Sequence, residues 1–403
     1  MKIKINIELI MLYVIVISMT SLFGLLKISS DIVLIECLIF ILYVEIKYCK
    51  IKVKSSKYEF KWFIILLVPL IIMSSIRSYQ LYGQAIMLGI RAQRMIFALY
   101  FMYFPLSKLY NIKKINRSDI EKMIYSIGTI QMILYTIYFV CKGKIGLLNY
   151  DYDYRYGGMR LRVDCCIINL LFILSINNYI KGRKKKENLF LIIFNVLTCA
   201  LMLKTRLLIV AYIGVIIVTL FLWKKDLRKK FLICIGGLLI VPIIFKSTII
   251  TDTIDTILEN DKNDIRKIGK EYYIECLKES PLAGRGYINT LCRKAYIGAG
   301  MDRNIYLVDN GIYGFAFVYG GIGILWFIIL WFKILFKSVK KYKENEDYSI
   351  ILYLVYITIL LPNITWWVWA GNGMIAMTIV LSIMSDKEDE HEKNKKVSIA
   401  EKI

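Results

Sequence analysis

The sequence predicts an all-α fold, a polytopic membrane helical bundle of about 12 spans, with a range of 10 to 13. Three observations predict it. Hydrophobic residues make up 58% of the 403 residues, and mean hydropathy is +0.56. The apolar residues run in solid stretches, whereas the strands of a membrane barrel would alternate in polarity. Lysine collects in every second gap between the stretches, as in a chain that recrosses a bilayer with its positive loops inside.

A span needs about 20 mainly apolar residues. In chain order the stretches fall near 7–26, 32–46, 62–76, 90–107, 123–141, 163–180, 188–203, 207–223, 231–249, 310–335, 349–363 and 372–384. Lys2 and Lys4 precede the first. It lacks a small-residue cleavage site and is read as a retained span. Lysine-rich gaps follow from Lys47 to Lys61, Lys108 to Lys122, Lys181 to Lys186, Lys224 to Lys230 and Lys337 to Lys343. The charged tail 385–403 closes the series. Both termini are therefore expected in the cytoplasm, with residues 1–384 a single bundle in the cell membrane. Outer loops are expected near 142–162 and 250–309, the second lying between spans nine and ten. The net charge of +23 needs no nucleic acid, because positive-inside topology and anionic membrane lipids account for it.

Composition also limits the chemistry. His391, the single histidine, sits in the tail, so no histidine is expected outside. Cys37, Cys165, Cys166, Cys199 and Cys234 lie within or beside apolar stretches, where a thiol acts as a small hydrophobe. Cys276 and Cys292 share the second outer loop, and a disulfide there is an open alternative to two free thiols. There is no C-x-x-C, no Cys/His metal spacing and no phosphate-binding G-x-x-x-x-G-K-[ST]. No cofactor and no metal are expected.

On this topology 11 of the 14 arginines lie outside: Arg77, Arg91, Arg94, Arg155, Arg160, Arg162, Arg206, Arg266, Arg285, Arg293 and Arg303. Only Arg117, Arg183 and Arg228 lie inside. That distribution works against the positive-inside rule, so it asks for another cause. A guanidinium is a planar fork that binds phosphate and carboxylate oxygens bidentately, as an ammonium does not. The outer face is expected to hold an anion. Arg91 and Arg94 fall at the fourth stretch, where a charge costs roughly 2.5–3.5 kcal/mol on insertion scales. Such residues persist when they face a cavity, a partner or headgroups.

In the first outer loop Tyr150, Tyr152, Tyr154 and Tyr156 alternate with Asp151, Asp153 and Arg155. An interfacial aromatic belt is one reading. The other is a sugar platform of aromatic faces and carboxylates. Asp151 and Asp153 also form a D-x-D, a weak metal signal in isolation. In the second loop Ile265, Ile268, Tyr272, Cys276 and Leu277 recur at helical spacing, which predicts an amphipathic helix from Asp264 to Lys278. Pro281 ends it, and Pro281-Leu282-Ala283-Gly284-Arg285-Gly286 reads as a turn. Trp366, Trp367 and Trp369 read as interface anchors.

Three motifs of the second half carry a family resemblance. Lys204-Thr205-Arg206 precedes LLIVAYIGVIIV. Arg266 lies some 15 residues before the Pro281-Leu-x-Gly-x-Gly286 turn. Asp309-Asn310 precedes GIYGFAFVYGGIGIL. Over residues 188–336 the chain resembles the O-antigen polymerase and ligase family, integral-membrane enzymes that assemble bacterial surface polysaccharides. Residues 1–187 match in topology only. The resemblance implies a GT-C-like bundle, a polyprenyl-pyrophosphate-linked glycan substrate, and as partners a chain-length regulator and an upstream flippase. Many ligases carry histidine at the polar pair where this chain has Asp309, a departure that favours a polymerase.

The chemistry agrees with that implication. A synthetic reaction outside the membrane needs a donor that arrives activated, as a lipid-linked pyrophosphate glycan does. Guanidiniums would stabilise charge growing on the departing pyrophosphate, and Arg206, Arg266, Arg285, Arg91 and Arg94 are the expected ligands. The acceptor hydroxyl must lose its proton. Asp309 and Glu279 are the expected catalytic carboxylates, with Asp164, Asp151, Asp153, Glu271 and Glu275 as alternatives. Tyr152, Tyr154, Asp151, Asp153 and Arg155 are the expected glycan contacts. A lipid-linked glycan flippase or another secondary transporter is the competing reading. Internal repeats would support it, and no half-to-half similarity is found.

Overall fold

The computed structural model describes residues 6–51, 53, 57–155, 158–223, 265–365, 368 and 370–385, the side chains of Arg155 and Asn345 excepted. Of these residues 75% are helical and 2% lie in strands. The helices are α1 (Ile7–Met19), α2 (Ser30–Lys47), α3 (Lys61–Tyr82), α4 (Ile86–Ala92), α5 (Arg94–Phe101), α6 (Tyr103–Asn111), α7 (Arg117–Val140), α8 (Cys166–Ile180), α9 (Lys185–Leu197), α10 (Arg206–Leu222), α11 (Ile265–Glu279), α12 (Arg293–Gly298), α13 (Gly311–Asn345), α14 (Ser349–Leu360) and α15 (Gly371–Met384). Strands β1 (Tyr152–Arg155) and β2 (Gly158–Leu161) pair between α7 and α8.

Eleven of the predicted apolar stretches fall on these helices, while 231–249 lies outside the described residues. Lys61–Tyr82, Arg117–Val140, Lys185–Leu203 and Leu307–Glu344 are long and apolar enough to cross a membrane. Shorter apolar helices, α1, α8, α10, α14 and α15, fill out the bundle. Apolar side chains occupy both its inside and its outside. Tyr103, Phe172 and Phe317 are fully buried, whereas Trp62, Phe190, Phe221 and Phe336 are exposed. A helix that is apolar all round suits a lipid surround.

One expectation needs correction. The stretch 90–107 is interrupted at Gln93 (φ −97, ψ 6), where α4 ends, whereas helical hydrogen bonds run on from α5 into α6 through Met102. Gln93 is fully buried. Its amide accepts from Ser74 Oγ (3.1 Å) and Tyr319 OH (2.8 Å) and donates to Gly89 O (3.1 Å). A buried amide must find such partners, and here it ties α3, α4 and α13 together at the break. The expected loop 142–162 lies between α7 and α8. It holds an antiparallel hairpin in which Tyr152 faces Leu161 and Asp153 faces Arg160.

The most consequential feature is a break inside α13. Gly320 has φ +64 and ψ −162, nine residues and roughly 14 Å beyond the helix start at Gly311. In an unbroken helix Gly321 N and Ile322 N would donate to Phe317 O and Val318 O. Instead Gly321 N donates to Pro281 O (2.7 Å) and Ile322 N to Leu282 O (3.1 Å). The two vacated carbonyls accept from Arg285 N (2.6 Å) and Gly286 N (3.2 Å). All four backbone groups freed by the break are therefore satisfied by the turn 281–286. Non-helical backbone at membrane depth is tolerated only with such compensation.

At the far end of α13 a buried ionic group ties the chain together. Asp347 is 2% exposed at its side chain and pairs with Arg117 of α7. Arg117 Nη2 lies 3.1 Å from Asp347 Oδ1 and Lys181 Nζ lies 3.9 Å from it. Ser349 Oγ also donates to Oδ1, at 2.9 Å. Burial pushes the Asp347 carboxyl up. The Arg117 hydrogen bonds and charge, with Lys181 and Ser349, outweigh it and hold the group well below the usual carboxylate range. A depressed folded-state pKa contributes stability that is full above the unfolded value, about 3.9, and is lost as pH falls through the folded value. The Tm of the detergent-solubilised protein is therefore expected to fall steeply below about pH 4. Asp347→Asn should flatten that acid limb, and an unchanged limb in Asp347→Asn would assign it to other carboxylates.

Candidate functional site

The site is built where α11, the turn after it and α3 meet. On α11 the buried positions are Gly269, Tyr273 and Cys276. The expected apolar face is thus rotated: Ile265 and Ile268 are exposed. The reason is tertiary. Gly269 lets the helix approach the Asn310 side chain, which a Cβ would meet at 2.7 Å, and the Tyr273 ring packs against Phe317 with centroids 4.9 Å apart.

After α11 the turn inserts between α3 and α13. Gly284 has φ +66 and Gly286 φ +89, and a Cβ on either would strike the backbone of α13 or α3. Two guanidiniums flank this turn. Arg285 Nη2 pairs with Glu279 Oε2 at 2.6 Å, and its Nη1 donates to Cys276 Sγ at 3.2 Å. Arg77, near the end of α3, donates to Ser280 Oγ (3.0 Å), Gly284 O (3.4 Å) and Gln80 Oε1 (2.9 Å). Burial works against the charge on Arg285. Tyr82, Cys276 and Glu279 more than offset it, so the group stays protonated. Arg303 stands over the Tyr272 ring at 5.9 Å, and Tyr272 OH donates to Gly298 O at 2.8 Å. Arg77 was not among the expected anion ligands. Its one sequence signal was membership in the segregated arginine set, because its approach to Ser280 spans 203 residues of chain.

The remaining candidates are distributed around this centre. Asp309 is exposed in a short 3-10 turn, Leu307–Asn310, before α13. Asn310 is buried and donates to Tyr306 O at 2.8 Å. Arg266 lies on the exposed first turn of α11. Arg91 is exposed, and its carbonyl accepts from Arg94 Nη1 at 2.8 Å. Arg94 is already engaged, with Asp31 at 2.8 Å and with Ser30 Oγ at 3.1 Å. Glu279 is likewise committed, to Arg285. Cys276 and Cys292 are both free thiols, so the disulfide alternative does not form.

The hairpin makes a second group. Asp153 Oδ2 lies 3.1 Å from Arg162 and 3.8 Å from Arg160. Two guanidiniums on one carboxylate argue against a D-x-D metal site there. Arg160 Nε donates to Leu203 O at 3.1 Å, which sets β2 against the π-helical turn Thr198–Leu203 just before Arg206 opens α10. Tyr152 and Tyr154 are exposed, with rings 6.2 Å apart in T-shaped contact. Asp151 is exposed beside them, and its carbonyl accepts from Arg162 N at 2.7 Å. Tyr150 is different: it is buried and its hydroxyl bonds Phe23 O. The hairpin therefore presents two aromatic faces and is held to the bundle by a third tyrosine. Tyr156, Trp366, Trp367, Trp369, His391 and the Arg155 side chain lie outside what is described.

Taken chemically, the first group offers two anchored cations beside a carboxylate, and the second offers exposed aromatic rings beside bases and acids. A scan of family models and a search of curated proteins both find no match to the chain.

Proposed function

We infer that the protein is a membrane glycosyltransferase. It polymerises polyprenyl-pyrophosphate-linked oligosaccharide repeat units into a surface polysaccharide, such as O-antigen or capsule, on the outer face of the cell membrane. The observation that carries the reading is the pair of guanidiniums, Arg77 and Arg285, anchored on the turn that enters the break of α13. Cations held on rigid backbone need little reorganisation when charge develops on a departing pyrophosphate. Arg206, Arg266, Arg91 and Arg94 complete the proposed anion surface, Arg94 through an ion pair that a stronger anion would displace.

Glu279 is paired with Arg285, so its proposed role is to position that guanidinium. The main-chain N of Asp309 donates to Tyr306 O at 3.2 Å, while its carboxylate makes no hydrogen bond or ion pair among the described residues. It is the proposed acceptor of the proton from the attacking hydroxyl. Tyr152, Tyr154, Asp151, Asp153 and Arg155 are the proposed glycan platform. A chain-length regulator and a flippase are the proposed partners.

Purified protein given a lipid-linked repeat unit is expected to yield a ladder of lengthened glycans, undiminished by EDTA. Movement of unlengthened units across a vesicle membrane would instead assign a carrier. Loss of the ladder in EDTA with recovery in Mg²⁺ would overturn the metal-free mechanism.

A further inference from the structure

Helix α1 stops early. The first apolar stretch runs from 7 to 26, the roughly 20 residues that a span needs, yet α1 ends at Met19 after 13 residues. At the helical rise that is about 20 Å, short of a hydrocarbon core of about 30 Å. Leu25 and Leu26, beyond the helix, are exposed. No proline stands in this segment to break it. What stops the helix is a turn of the opposite hand. Ser21, Leu22, Phe23 and Gly24 have φ of +54, +48, +58 and +81. L-residues visit that region singly and not in runs, and only glycine enters it without steric cost.

The contacts that hold this turn come from the residues leading into β1. Tyr150 donates its hydroxyl to Phe23 O, and Asn149 N donates to Gly24 O at 2.7 Å. The Tyr150 ring lies on Gly24, where a Cβ would strike it. The same ring stands edge-on to Tyr135 and Tyr138 of α7, with centroids 4.9 and 5.2 Å apart, and Tyr138 OH donates to Tyr150 O at 3.2 Å. One buried tyrosine thus joins the base of the hairpin, α7 and the left-handed turn.

We propose that Ser21–Gly24 is a two-state turn, left-handed while Asn149 and Tyr150 hold it, and right-handed, as a continuation of α1 towards Leu26, when they leave. One state has a short α1 and a docked hairpin base. The other has a full-length span and a released base. A ligand that engages the exposed faces of Tyr152 and Tyr154 and draws the hairpin outward would shift the balance with only part of the docking free energy, because relaxation of the turn supplies the rest. The switch is independent of which ligand the hairpin takes, and so does not rest on the glycan reading.

Hydrogen exchange of the purified full chain in detergent, read by mass spectrometry over residues 20–26 and 149–155, tests this. Gly24→Ala adds a methyl that opposes the left-handed turn and favours helix. It is expected to speed exchange over 149–155 at least about fivefold and to slow it over 20–26, because one segment is released as the other becomes helix. Tyr150→Phe, which removes only the hydroxyl, should act in the same two directions. Leu22→Gly removes a left-handed side chain and weakens the competing helix, so exchange over 149–155 should fall at least about fivefold below wild type. That variant keeps the proposal falsifiable if Gly24→Ala fails to fold. The same sign in both segments, or no change, in Gly24→Ala or Tyr150→Phe would overturn the switch, as would unchanged or faster exchange over 149–155 in Leu22→Gly.

Discussion

Gly284→Ala, Gly286→Ala and Gly320→Ala are each expected to abolish accumulation of folded protein. All three residues have left-handed backbone, with φ of +66, +89 and +64. An L-residue there costs roughly 1–2 kcal/mol. A methyl at Gly284 would strike Gly320 N and Phe317 O, at Gly286 Ser74 O, and at Gly320 Gly284 N and Leu282 O. These neighbours are backbone and cannot swing aside. Overpacking adds roughly 1–3 kcal/mol, and each exchanged hydrogen bond broken adds roughly 1–3 kcal/mol more. The sum is comparable with the whole stability of a typical domain. Gly83→Ala is the internal control. It also has positive φ (+69) but nothing within 4 Å, so it should cost only the left-handed penalty. Fluorescence-detected size-exclusion chromatography of all four variants measures this. Normal monodisperse peaks for Gly284→Ala and Gly320→Ala would mean the turn does not enter the helix as described.

Arg285→Lys and Arg77→Lys are expected to lower the rate of glycan polymerisation by roughly 10²–10³ each, the scale seen when one preorganised donor to a developing charge is removed. Charge is conserved in both variants, so the loss would report the fork geometry of the guanidinium. Folding is expected to be nearly normal for Arg285→Lys, because the turn is fixed by the Arg285 main chain and not by its side chain. Arg206→Lys and Arg266→Lys should follow the same pattern. Glu279→Gln should reduce activity far less than Asp309→Asn, since a neutral amide can still accept from Arg285 whereas it cannot take a proton. Rates are measured in the same membranes at matched protein level. Full activity in Arg285→Ala and Arg77→Ala would remove the anion site from the account.

Much of the bundle could be read from the sequence because solid apolar runs are a local signal. The run 349–363, for example, returns as α14 with its boundaries shifted by a few residues. The break of 90–107 was also marked locally: Gln93 is a buried amide in an apolar stretch, and a buried amide must recruit partners. Non-local facts were hidden. Pro281-Leu-x-Gly-x-Gly286 reads as a turn, and Gly320-Gly321 as part of a glycine-rich helix. Their exchange of four backbone hydrogen bonds follows from neither. The rotation of α11 has the same origin, since it depends on Gly269 meeting Asn310 across 41 residues (310 − 269). Arg285 and Glu279 were singled out separately. That they neutralise each other, and that Arg77 stands on the other side of the same turn, required the packing of α3 against the turn.

The central claim is that the arginine-flanked turn serves a bond-forming reaction that expels a lipid pyrophosphate. The most direct measurement counts polyprenyl pyrophosphate released against glycosidic bonds formed, using purified protein and a lipid-linked repeat unit with labels on both the lipid and the sugar. The account predicts one polyprenyl pyrophosphate released per bond, with both products falling together in Arg285→Lys. Repeat units that remain lipid-linked and unlengthened while the protein is folded would contradict it.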